Sequence, residues 1–326
     1  DWDMGNDISL KTDVFYQKMR HLMSNNILRT PTNAMTNRTK VEAGGISMAL
    51  AMPFNSGQLT VGVDGDQSNH DANSTMTMMG GTSATNYFNK VERDRYSIFT
   101  EWAGAVSEDI SVELGARYTH TWSDAGDVSS EIAMGATSRT NARNAFNALE
   151  RTKNYNLVDL VAELQFNASS ELDVNVGVAR KNRAPTYQEL YLWYGSAANA
   201  GFADGKTYIG DTGLEAETAY QFDLGLDWHT ADVYVAPNVF YHYVEDYIMG
   251  QTSIKAQGGT GNDYDADLQW SNIGGAQFFG AELEAGYKFT DHIRTDASLN
   301  YVRGMRINAL NGDDDLYRIA PLNGRL

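Results

Sequence analysis

The stretch MRHLMSN, residues 19–25, sets Met19, His21 and Met23 at alternate positions. In an extended chain, side chains two apart point the same way, so two thioethers and an imidazole would line one face. Thioether sulfur selects Cu(I), imidazole accepts copper or zinc, and neither suits magnesium or calcium. Two flexible methionines packed under a loop, beside a hydrogen-bonded histidine, would leave the same pattern. A second run, NSTMTMMGGTSAT (73–85), puts Met76, Met78 and Met79 near His70. It has the composition of a polar loop, with an accessory thioether cluster as the alternative. The segment ELYLWYG (189–195) offers Tyr191, Trp193 and Tyr194 as a contact surface for a bound chelate. Nothing points to catalysis: the carboxylates are spread along the chain without pairing, and no Gly-x-Ser-x-Gly or similar nucleophile motif occurs.

The elements that would position these residues are strands. In SVELGARYTH, Val112, Leu114, Ala116 and Tyr118 share one face while Ser111, Glu113, Gly115 and Arg117 share the other. DVNVGVARKN, QFDLGLDW, AELEAGYKF and TDASLNYV repeat the alternation. About 12 such strands are legible, many longer than those of soluble sheets. Tight turns join some neighbours, at 54–58, 105–109, 167–171, 229–232 and 290–292, and long segments join the others, at 21–40, 71–90, 124–152, 184–217, 249–267 and 304–316. Short and long connections alternate. Phe54, Trp102, Phe166, Trp228 and Phe289 each fall beside a short turn, where an interfacial girdle would lie. The expected fold is therefore all-β, an antiparallel transmembrane β-barrel, with a soluble β-sandwich binding module as the weaker alternative. The run TSRTNARNAFNAL (137–149) is expected to be a polar loop on the long-loop rim.

Composition agrees. Mean hydropathy is −0.43 and no apolar run approaches the length of a membrane helix, which excludes a helical membrane protein and leaves a barrel open. Lys+Arg number 25 against 42 Asp+Glu, a net charge of −17 that argues against nucleic acid as a partner. The chain has no Cys, so disulfides and thiolate zinc sites are excluded. On β-strand alternation Met19, His21 and Met23 share a face with Asp13 and Gln17, the polar lumen side, whereas Val14 and Tyr16 would meet lipid.

NRAPTYQELYLWY (182–194) resembles the Arg-x-Pro-x-x-x-Glu-Leu-Tyr stretch of TonB-dependent outer-membrane receptors. TYIGDTGLEAETAYQFDLGLDW (207–228) is similar to that family's Gly-Asn/Asp-Pro-x-Leu-x-Pro-Glu segment and the strand after it, with Thr212 and Ala216 where prolines are usual. NIGGAQFFGAELEAGYKF (272–289) and LYRIAPLNGRL (316–326) resemble two later strands of the same barrel. FYQKMRHLMSNNILR (15–29) looks like the corresponding strand of the copper receptors in the family, whose His-x-Met pair falls here on His21 and Met23.

The resemblance implies that residues 1–326 are part of a receptor barrel of about 22 strands, without the plug domain and the last strands. It implies location in the Gram-negative outer membrane, contact with outer-membrane lipid and lipopolysaccharide, and coupling to the TonB complex through a plug. In the copper receptors a Cys-x-x-x-Met of the plug completes the His-x-Met site. Copper would be the transported ligand, no organic cofactor would be held, and Met19 would be a weaker ligand than Met23. A receptor for siderophores or other metal chelates is the alternative within the family.

Overall fold

The computed structural model describes residues 2–28, 30–78, 81–131, 137–195, 204–252, 268–308, 312 and 314–326. In chain order its strands are β1 (Trp2–Gly5), β2 (Ile8–Ser24), β3 (Ala34–Phe54), β4 (Gly57–Met78), β5 (Gly81–Ala105), β6 (Ile110–Asp124), β7 (Ser129–Glu131), β8 (Lys153–Ser169), β9 (Leu172–Arg183), β10 (Tyr208–Ile209), β11 (Glu217–His229), β12 (Val233–Glu245), β13 (Ile248–Thr252), β14 (Leu268–Asn272), β15 (Gly275–Thr290), β16 (Ile293–Ile307) and β17 (Asn323–Arg325). Two helices, α1 (Thr137–Asn147) and α2 (Tyr187–Tyr191), lie in the long connections after β7 and β9. No helix among the described residues is long and apolar enough to cross a membrane; the crossing elements are strands.

One 14-stranded antiparallel sheet carries the fold, in the order β1-β2-β3-β4-β5-β6-β8-β9-β11-β12-β15-β16-β17, with β7 paired to β5. A small three-stranded sheet, β10-β14-β13, sits in the long connections. The neighbour-to-neighbour order is what hairpin connections dictate: in the large sheet each long strand pairs with the long strand before it, while β7, β10, β13 and β14 lie off that path.

Cross-strand register assigns every side chain to one of two faces. Leu10, Leu50, Val61 and Thr100 form one row across β2–β5, and Val158, Tyr118 and Ile98 another across β8, β6 and β5. These rows face outward and, apart from Thr100, are apolar. On β3 the outward positions run Phe54, Met52, Leu50, Met48, Ile46 and Gly44, residues 44 to 54, the roughly 9–11 residues a tilted strand needs to cross the hydrocarbon. The inward rows are polar: Arg117 pairs with Asp64 at 2.6 Å and Arg95 with Asp66 at 2.6 Å.

Two aromatic belts bound the apolar rows. At the short-turn rim lie Phe54, Trp102, Phe166, Trp228 and Phe289, with Trp102 Nε1 donating to the Phe54 carbonyl at 3.1 Å. At the opposite boundary lie Tyr16, Tyr96, Tyr118, Tyr220, Tyr241 and Tyr301, all on the outward face. Their hydroxyls meet polar groups there: Gln67 Nε2 donates to Tyr96 at 2.9 Å, and Tyr118 donates to Asn156 Oδ1 at 2.7 Å. A ring in lipid with its hydroxyl in the headgroup zone is the arrangement an interface favours. This second belt went unread in the sequence because each tyrosine is isolated there.

Beyond the tyrosine belt the strands continue. The segment 71–90, expected as a loop, is a β4–β5 hairpin that runs to Met78 and resumes at Gly81, and NSTMTMMGGTSAT is largely strand within it. Paired backbone groups there satisfy one another without any need for lipid. TSRTNARNAFNAL is likewise mostly the helix α1. The buried core is gathered at this rim, where Tyr87, Phe88, Val91, Phe146, Tyr155, Leu190, Trp193, Tyr208 and Ile209 pack together under the long connections. Each such side chain contributes about 1.5–3 kcal/mol to holding the long connections on the ends of the strands.

Candidate functional site at the lumen mouth

Register settles which way the candidate ligands face. Met19 opposes Val41, His21 opposes Thr39 and Met23 opposes Asn37; those three in turn oppose His70, Ala72 and Ser74 of β4. All of them are continuous with Asp64 and Asp66, so Met19, His21 and Met23 look into the lumen, above the level of Tyr16. Met19 and Met23 are 42% and 43% exposed, which leaves both thioethers open to the mouth.

Reach separates the three donors. A metal–sulfur bond of about 2.3 Å puts an ion at most roughly 5 Å from the Cβ of the methionine that holds it. Residues four apart on a strand are about 13 Å apart, so Met19 and Met23 cannot hold the same ion. His21, about 7 Å from each, can pair with either one.

Residues 21–40, expected as a long connection, are largely strand: β2 runs to Ser24 and β3 begins at Ala34, which adds Met35 to the inward face. Met35 lies on β3 directly opposite Met76, and diagonal to Met23. Directly opposed Cβ atoms are about 5 Å apart and diagonal ones about 7–8 Å, so Met23, Met35 and Met76 form a run of thioethers on one inward face. Alternation of Met35, Asn37, Thr39 and Val41 was the signal available in the sequence. Met78 ends β4, and Met79 lies outside the described residues.

His70 is inward too, but six residues from Met76, about 20 Å along the strand, so the two do not form one site. Its ring packs against Tyr187 at 4.6 Å and Phe88 at 5.1 Å between centroids. Burial lowers its pKa from 6.5 against the opposing pull of Asp71, which keeps the imidazole neutral. Among the described residues no group of three or more His, Cys, Asp or Glu could hold a metal ion. The donors this chain brings to the mouth are therefore soft thioethers and one open imidazole.

Helix α2 packs at the same rim, with Tyr187 against His70 and Phe88. Its N-cap Thr186 accepts from the Glu189 amide at 3.2 Å while Glu189 Oε2 accepts from the Thr186 amide at 2.7 Å, a reciprocal capping box. Arg183 grips the same carboxylate from Nη1 at 2.8 Å and reaches Glu217 from Nε at 2.6 Å. Burial alone would lower the Arg183 pKa, but the hydrogen bonds to Glu217 and Glu189 reverse this and raise it. Glu217 Oε1 also accepts from the Ile248 amide at 2.7 Å, so one cluster ties β9, α2, β11 and β13. Tyr191 and Trp193 are 1% and 0% exposed. Tyr191 donates to the Arg151 carbonyl at 2.7 Å, and Trp193 packs on Phe146 and edge-on to Tyr194. In this structure the three rings hold the rim together, with Tyr187 the ring nearest the inward histidine.

Long antiparallel strands between two aromatic belts, with short turns at one rim and long connections at the other, define an outer-membrane β-barrel wall. The chain belongs to the TonB-dependent receptor family: the family model for "TonB dependent receptor-like, beta-barrel" matches residues 1–326. Barrels of this family lie in the Gram-negative outer membrane, and so does this one.

Among solved structures the chain is similar to the copper transporter OprC, at 20% identity and TM-score 0.73, over 97% of this chain and 46% of that one. It is similar to the ferric citrate transporter FecA at 13% identity and TM-score 0.64, over 99% and 44% respectively. The ferric yersiniabactin uptake receptor FyuA of Yersinia pestis matches at 15% identity and TM-score 0.59, over 98% and 44%. At these identities the likeness establishes the fold, and the chain spans less than half the length of each. No curated protein matches the sequence.

Proposed function

We propose that this chain is the barrel wall of a TonB-dependent receptor that captures copper at its extracellular mouth. The observation that carries the reading is the placement of His21 and Met23 side by side on the inward face of β2, above the tyrosine belt and open to the mouth. A thioether beside an imidazole is a donor pair for copper, most of all Cu(I), and a poor one for magnesium or calcium. Similarity to a structure described as a copper transporter supports the same cargo.

In this reading His21 and Met23 bind the ion and Met19 is a weaker second partner for His21. Met76, with Met35 opposite it, gathers copper further out, with Met78 and Met79 as further accessory donors; His70, expected among them, is packed against Tyr187 and Phe88 too far from Met76 to join that group. Ligands from a plug domain would complete the main site, and TonB, acting through that plug, would supply the energy for import. The chain performs no bond-making chemistry of its own: its part is to bind and to position.

The test is elemental analysis of the intact receptor after copper exposure. About one copper per wild-type receptor and none in His21→Ala/Met23→Ala is the expected result. Equal copper in both would overturn it.

A second cargo, a ferric chelate, is favoured by similarity to the ferric citrate and ferric yersiniabactin receptors. In that case Tyr191, Trp193 and Tyr194 would need to leave the rim core to make contact. Displacement of a bound fluorescent ferric chelate by copper-free siderophore complexes, with no response to copper, would select it.

A further inference from the structure

We propose that Met23, with Met19 on the other side of His21, is an oxidation site: an oxidant at the cell surface, of the hypohalous acid or peroxide class, converts the thioether to a sulfoxide and thereby disables copper capture. The inference rests on the copper reading of His21 and Met23 and adds to it a covalent control of the same residues.

Exposure singles out these two sulfurs. Met19 and Met23 stand on the inward face of β2 above the tyrosine belt, and both are open to water. Among the described residues the other well-exposed methionines are Met4, on β1 at the short-turn rim, and Met48, on the outward face of β3 at the level of the hydrocarbon. Met35 and Met76 are partly covered within the β3–β4 pairing, and Met249 is only 8% exposed. An oxidant arriving from outside therefore meets the thioethers beside His21 first. No thiol of this chain competes for it, since the chain has no Cys.

The step transfers one oxygen atom and two electrons. Sulfur gives up the electrons and gains the oxygen, while hypochlorous acid leaves as chloride and a proton, or hydrogen peroxide leaves as water. The product is polar and chiral, and it presents a hard oxygen donor where a soft sulfur stood. Soft donors select Cu(I), so oxidation of Met23 leaves His21 without the partner that gives the pair its preference. A sulfur whose electron pair is already bound to copper is a poorer nucleophile. The filled clamp therefore resists the oxidant that disables the empty one.

The test uses the intact receptor in detergent, either free of copper or loaded with it, treated with a few equivalents of hypochlorite and quenched with free methionine. Peptide mass mapping reads the sulfoxide at each methionine, and elemental analysis reads the copper the treated receptor then holds. In the copper-free receptor Met19 and Met23 should be oxidised at least about tenfold faster than Met249. Copper capacity should fall in step with Met23 sulfoxide, and methionine sulfoxide reductases A and B together should restore it where dithiothreitol alone does not. Loading copper first should slow the oxidation of Met23 severalfold. Full copper capacity in a receptor whose Met23 is sulfoxide would overturn the proposal, and so would a Met23 that stays reduced while Met249 is oxidised. Copper loss that runs ahead of Met23 sulfoxide, or that dithiothreitol alone reverses, would assign the loss to another group and overturn it too. A receptor that holds no copper before treatment would instead overturn the copper reading on which the proposal rests.

Discussion

Arg183 and Glu189 form an ion pair at 2.8 Å that fastens helix α2 to the end of β9, and the same guanidinium donates to Glu217 at 2.6 Å. Both carboxylates are nearly buried, while Arg183 is partly exposed. Removing the cation leaves two enclosed carboxylates facing each other without their strongest donor.

Arg183→Met is therefore expected to destabilise the rim layer by about 2–3 kcal/mol, less than the loss from a fully buried pair. Hydrogen exchange of the intact receptor would show it as lost protection at 186–195 and 246–250, with β3–β6 unchanged. Uniform protection across the variant would mean that the cluster does not hold α2.

Outward orientation makes a sharp prediction at mid-span. Leu224 faces outward between Phe222 and Leu226 levels, while its neighbour Asp223 faces the lumen beside His242 at 3.7 Å. Leu224→Arg should cost about 2–4 kcal/mol in reversible unfolding from lipid vesicles, whereas Asp223→Asn should cost under about 1 kcal/mol. Similar costs at the two positions would contradict the assignment of faces.

The reach of thioethers separates Met19 from Met23. Met23→Leu should abolish high-affinity copper retention, and Met19→Leu should weaken it by less than about tenfold, as measured by copper content at limiting metal. Met35→Leu/Met76→Leu should leave the final stoichiometry intact and slow the loading, which a stopped-flow competition with a Cu(I) indicator would detect. Loss of all binding in that double variant would shift the main site outward along β3 and β4.

Acid should loosen the contact of α2 with the wall. His70 sits against Tyr187 and Phe88 with its pKa lowered by burial from 6.5. A detached histidine binds its proton at a higher pH than the packed one, so the packed state's stability is fully present above 6.5 and declines as pH falls from there toward the lowered value. Exchange protection around Tyr187 should drop between pH 7 and about 5 in wild type and stay flat in His70→Gln. An equal drop in the variant would assign the sensitivity to another group.

Much of the barrel was legible because lipid imposes a two-residue period on every crossing strand. Asp13 and Gln17 beside Met19, and Val14 beside Tyr16, were enough to assign the faces of β2 before any pairing was known. The short turns were visible for the same reason, since a hairpin leaves no room for more than a few turn residues. The rim was not legible. The hairpin through Met76, helix α1 and the burial of Trp193 all lie beyond the hydrocarbon, where no periodic solvent boundary marks the chain and distant segments decide which residues are covered.

His21 and Met23 as neighbours on an inward face were determined by the sequence alone, because strand alternation is local spacing, and the likeness of RAPTYQELY to a receptor-barrel motif was legible there as a resemblance. Only the tertiary structure decided that Met35 meets Met76 and that Arg183 holds Glu189 and Glu217 together. Those pairings join strands or segments whose register is set by the summed hydrogen bonding and burial of whole elements, and no local stretch of residues contains that information.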